Sequence, residues 1–203
     1  MNVFVLCTGR CGSTTFARAC RHINNFTSGH ETRASMIGDA RFAYPDNHID
    51  VDHYLSWFLG RLDEAYGQEA YYVHLTRDPA ACAESWAKKQ PYYMGSPATA
   101  FRSAFLRMTR QYSFLDTCRE FVDTANANIR AFLKDKPNQM DFALETATAD
   151  WPVFWNWIGA EGNYDTSLAE WIVQHNPSLP RWHDKVQNVR DRVHKAFWSV
   201  AIR

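Results

Sequence analysis

The chain opens MNVFVLCTGRCGSTTFARAC, and the change of rhythm inside this stretch constrains the fold more than any other feature. Val3, Phe4, Val5 and Leu6 form an apolar, partly β-branched run that reads as a buried strand, and from Thr14 the spacing becomes helical. The stretch from Thr8 to Thr15 is then the loop between them. Gly9 and Gly12 let its backbone turn sharply and approach a ligand. The N–H groups that open the next helix point outward with the positive end of its dipole, which makes the turn a site for an anion, most often phosphate.

The same alternation continues. Residues 24–31 are expected to hold a second strand, and residues 50–68 read as an amphipathic crossover helix with Leu55, Phe58, Leu59 and Leu62 on one side. A second strand–loop–helix unit follows in AYYVHLTRDPAACAESWAKK: Tyr71 to Thr76 is the strand, Asp78 a helix cap and Pro79 a first helical residue. Residues 97–135 read as one or two long helices and residues 139–146 as another strand. WPVFWNWIG resumes helical spacing, with Pro152 near its start and Gly159 at its end, and the mostly helical remainder is broken at NPSLP. Strands separated by helices imply a single α/β domain over residues 1–203, a three-layer sandwich whose mainly parallel sheet is flanked by helices and whose ligands lie at the carboxyl ends of the strands.

Charge narrows the partners. Lysine plus arginine number 22 and so do aspartate plus glutamate, so no global basic field favours nucleic acid or an anionic membrane. Cys7, Cys11, Cys20, Cys82 and Cys118 are odd in number and lack the spacing of a disulfide scaffold or a zinc site, so reduced thiols and no metal are expected. The chain begins almost directly in strand residues without a leader or long apolar span, and a cytoplasmic location is expected. The tryptophans, including Trp151, Trp155 and Trp157, read mostly as core. Arg181, Lys185, Arg190, Arg192 and Lys195 read as a solvated helix face.

Three well-known anion loops do not fit. No lysine precedes Ser13 or Thr14 as the triphosphatase GxxxxGK[ST] loop requires, and GxGxxG is absent. Counted from Cys7 or Cys11, the place of a tyrosine-phosphatase arginine falls on Ser13 or Ala17. GRCGSTT instead resembles the 5′-phosphosulfate loop of sulfotransferases: a basic residue, one residue, glycine, then hydroxyl residues, here Arg10, Cys11, Gly12, Ser13 and Thr14, with Thr15 next. RDPAACAES is similar to the family's 3′-phosphate signature, with Arg77 at the strand end and Ser85 eight positions on. FWNWIGAEG looks like its closing segment, so the resemblance spans most of the chain.

The resemblance implies a P-loop-like fold and 3′-phosphoadenosine 5′-phosphosulfate (PAPS) as sulfuryl donor. Arg10, Cys11, Gly12, Ser13, Thr14 and Thr15 would hold its 5′ end, and Arg77 and Ser85 the 3′-phosphate that ATP lacks. Arg10 would also stabilise charge during an in-line displacement. The moving group carries less charge than a phosphoryl group, so no metal is expected. Glu31, in TSGHETR, is the favoured base, as in several carbohydrate sulfotransferases, and His30 is its rival; alternation along a strand sends one inward and the other outward.

Three features depart from the family, the first being Arg10 where many members have lysine in the loop. Thr15 stands where cytosolic members often have a tryptophan against adenine, and the carboxyl-terminal RKG motif is missing, which suggests a carbohydrate-type or bacterial-type branch. The acceptor is expected to be a small molecule or carbohydrate, selected by residues 34–50 and 90–103, with Tyr92, Tyr93 and Phe101 as apolar candidates. The sequence leaves the oligomeric state open. The competing readings are a nucleotide or small-molecule kinase with a degenerate loop, and a catalytically silent nucleotide-binding protein.

Overall fold

A computed structural model describes residues 1–89, 96–107, 112–173 and 175. The chain divides into two compact units: one takes in residues 1–82 and 122–176, and the other draws its described residues from 83–121. The first unit is built on a parallel sheet of β1 (Val3–Cys7), β2 (Thr27–His30), β3 (His48–Val51), β4 (Tyr71–Thr76) and β5 (Gln139–Ala143), in the order β2-β3-β1-β4-β5. The helices are α1 (Ser13–Cys20), α2 (Leu59–Tyr66), α3 (Pro79–Lys89), α4 (Pro97–Ala100), α5 (Phe114–Leu133), α6 (Ala147–Trp157) and α7 (Tyr164–Ala169). Among the described residues, no helix is long and apolar enough to cross a membrane.

β1 is central because both its faces are apolar. Val3, Val5 and Cys7 face one core with Phe16, Phe142, Trp151 and Phe154, while Phe4 and Leu6 face a second core with Leu55, Leu62, Tyr72 and Ile129. All five β1 residues are fully buried, and each large apolar side chain so placed contributes about 2 kcal/mol. Phe16 anchors α1 on the sheet through edge-to-face contacts with Phe142, Trp151 and Phe154 at 5.0, 5.3 and 4.9 Å. Trp151 and Trp155 are core residues as expected.

The sequence reading needs correction at residues 50–68. They do not form one crossover helix. Residues 48–51 are strand β3, a 3₁₀ turn covers Tyr54–Trp57, and only Leu59–Tyr66 is α-helical. Leu55 and Leu62 are buried as the periodicity requires, but Phe58 is 40 % exposed. β3 escaped notice because His48 and Asp50 interrupt its apolar signal, although all four of its residues are buried. Two further boundaries move: β5 stops at Ala143, and α6 starts at Ala147, which places Pro152 inside the helix.

In the second unit, Pro97–Ala100 leads into a π-helical turn at Phe101–Phe105, and Phe101 packs inward against Phe121 at 5.6 Å. Tyr92, Tyr93, NPSLP and the carboxyl-terminal basic residues lie outside the described residues.

Candidate active site

β1 delivers the chain into a loop with an unusual backbone. Gly9, Arg10 and Gly12 all have positive φ, at 71°, 60° and 95°. Gly12 is the residue before α1, and a Cβ there would come within 2.7 Å of Leu144 Cδ1. The loop is fastened from two sides. Ser56 Oγ donates to Cys7 O at 2.9 Å, and Cys82 Sγ, on the first turn of α3, donates to Gly9 O at 3.1 Å.

The Cys11 thiol titrates below its ordinary value, first because the Cys7 thiol hydrogen-bonds to it and then because backbone N–H groups of the loop point at its sulfur, against the opposing effect of burial. Cys7 is pushed up in turn. Arg10 is lowered by burial and further by the charge of Arg77. Arg77, at the carboxyl end of β4, donates from Nη1 to Arg10 O at 3.1 Å, so the two arginines named from the sequence meet at the loop.

Not every predicted contact residue presents a side chain. Cys11 is fully buried, so it can offer a ligand only its backbone N–H, and Thr15 and Ser13 are each 7 % exposed. Thr14 is partly exposed. Asp78 caps α3 as expected, its Oδ1 accepting from Ala81 N at 2.7 Å. Ser85 lies further along α3, in the second unit, and is 7 % exposed.

At the end of β2 the side chains do not alternate. His30 is the last strand residue, and Glu31 leaves the strand with φ 57°, so its side chain swings back to the side of His30. His30 Nε2 then lies 3.7 Å from Glu31 Oε1 and 3.2 Å from Ser13 Oγ of the loop. Burial would raise Glu31, but the hydrogen bond and charge of His53, with His30 adding, hold it below the ordinary carboxylate value. Burial lowers His30, and His53 adds to this against the opposing pull of Glu31. A burial-lowered imidazole and an ionised carboxylate therefore stand side by side at the loop.

Several partners went unseen in the sequence, because residues 50–53 were read as the start of a helix. His53 Nδ1 is 2.8 Å from Glu31 Oε1 and must be the donor, since an ionised carboxylate only accepts. Asp50 is fully buried and accepts from Thr32 Oγ1 at 2.7 Å and Tyr44 OH at 3.1 Å. Asp52 is also fully buried. HIDVDH carried the available signal: acidic residues two apart, one on the strand and one just past its end, followed by a histidine.

No protein-family model matches the chain, and no curated protein matches its sequence. Among solved structures, the sulfotransferase domain from the curacin biosynthetic pathway superposes with a TM-score of 0.59, covering 88 % of this chain and 80 % of that domain. The two are 12 % identical, so the likeness is one of fold.

Proposed function

We propose that the chain is a PAPS-dependent sulfotransferase, one sulfotransferase-like domain whose acceptor is a hydroxyl of a carbohydrate or glycosylated small molecule. The observation that carries this reading is the approach of Arg77 to the loop, where its Nη1 donates to the backbone carbonyl of Arg10 and its charge acts against that of the Arg10 guanidinium. An anion there relieves their repulsion. The motif resemblance and the shared fold support the same reading.

PAPS supplies an activated sulfuryl group joined to its 5′-phosphate. In the transfer, a bond forms from the acceptor oxygen to sulfur, the sulfur–oxygen bond to the phosphate breaks, and the acceptor proton leaves. The chain's share is electrostatic and positional. Backbone N–H groups of residues 12–14 and Arg10 hold the charge on the bridging oxygen, and Arg77 holds the 3′-phosphate. His30 takes the proton and Glu31 stabilises the imidazolium that results.

Calorimetry tests the donor. The bisphosphate 3′-phosphoadenosine 5′-phosphate should bind far more tightly than 5′-AMP or magnesium-ATP, and Arg77→Ala should erase the preference. A preference for magnesium-ATP would favour the kinase, and binding without turnover the silent protein.

A further inference from the structure

Asp52 is fully buried, yet only one of its oxygens is used: Oδ1 accepts from Tyr54 N at 2.7 Å, and Oδ2 has no hydrogen-bond partner among the described residues. Its backbone N–H donates to Val5 O at 3.2 Å, which fixes it beside the end of β1. An Asp side chain that accepts from the N–H two residues on closes an Asx turn around the intervening residue. Here that residue is His53, which holds Glu31 at 2.8 Å, while Glu31 N bonds back to Val51 O at 3.1 Å. A closed circuit therefore runs from β3 through Asp52 and His53 to Glu31 and back to β3. Asp50, Glu31 and His53 are the charged groups acting on Asp52, and Asp52 in turn raises Cys7, Tyr44 and Tyr54.

We propose that Asp52 is a positioning residue for the proton-handling pair: its turn holds His53 against Glu31 and so fixes the direction in which the Glu31 carboxylate faces. The role assigned to that pair rests on the sulfotransferase reading; the geometry does not. A buried carboxylate with one idle oxygen is costly, and here its one use is to shape the turn.

The test follows the Glu31 carboxyl by carbon NMR through a pH titration of the full ligand-free chain. In the wild type Glu31 titrates below the ordinary carboxylate range. Asp52→Ala should return it towards that range, as should His53→Ala, and the double variant should add nothing to His53→Ala. Asp52→Asn keeps the turn acceptor and should leave Glu31 at its wild-type position. If Asp52→Asn and Asp52→Ala move Glu31 alike, charge rather than the turn is at work and the proposal falls. If Asp52→Ala leaves Glu31 in place while His53→Ala shifts it, the proposal falls as well. Binding of 3′-phosphoadenosine 5′-phosphate is measured separately, so a failed donor reading is distinguishable from a failed positioning role.

Discussion

His30 Nε2 lies 3.2 Å from Ser13 Oγ, so the last residue of β2 touches the hydroxyl that opens α1. An anion in the loop competes for that hydroxyl and adds negative charge beside an imidazole now held down by burial. We therefore expect saturating 3′-phosphoadenosine 5′-phosphate to move the His30 titration to higher pH, read from its ring proton shifts. A His30 unmoved at full occupancy would separate the base from the donor site.

The same lowering fixes the pH profile. A base must be unprotonated to act, and His30 gains its proton below the ordinary histidine range, so the acid limb of kcat/KM should lie below that range. His30→Asn should remove the limb and cost roughly 10²-fold or more in kcat with donor affinity kept. Glu31→Gln deletes the charge that favours the imidazolium and should shift the limb to still lower pH. If Glu31→Gln abolishes turnover while His30→Asn spares it, the carboxylate is the base.

Arg77→Ala should weaken the bisphosphate by about 10- to 100-fold, the range of a charged hydrogen bond, and leave 5′-AMP nearly unchanged. Calorimetric titration of both ligands checks this.

Burial pushes Asp52 up to about 6, with Asp50 and Glu31 adding and the Tyr54 N–H and His53 opposing. A carboxyl raised in the folded state favours folding when protonated. That contribution is complete below the unfolded value near ~4 and is lost as pH climbs through about 6. Asp52→Asn should therefore stabilise the protein by roughly 1–3 kcal/mol at pH ~7.5 and by nothing at pH ~4. Thermal melts at the two pH values measure the difference.

Two glycines should separate stability from binding. Gly12→Ala places a side chain at φ 95°, and the nearby Leu144 methyl can yield, so a loss of about 1–3 kcal/mol should accompany weakened phosphate binding. At Gly162 a Cβ would lie 2.1 Å from the His22 carbonyl oxygen, a backbone atom that cannot step aside. Gly162→Ala should cost more stability, and in the protein that remains folded phosphate affinity should be intact; denaturant midpoints and phosphate titrations read both.

The elements legible in the sequence were those whose local signals and tertiary roles agree. β1 and β4 are apolar runs buried on both faces, and Arg10 and Arg77 stood out because each sits where a strand gives way to a helix. The expectation of a parallel sheet flanked by helices holds throughout. β3 was missed because its identity depends on neighbours: Asp50 is tolerable in a buried strand only once Thr32 and Tyr44 have arrived to donate to it. His53 was lost with it. The relation of His30 to Glu31 was misjudged for a different reason, since one left-handed residue at the end of β2 cancels an alternation that holds inside strands. No local pattern announces such a turn when the residue is a glutamate.

Arg10 adopts φ 60°, a conformation that costs a side-chain-bearing residue about 1 kcal/mol or more and costs glycine almost nothing. The loop would hold its shape more comfortably with glycine at that position. A search for sturdier variants that scored melting temperature alone would therefore drift toward erasing the guanidinium. The arginine marks a place where the chain's durability and its proposed role pull in opposite directions.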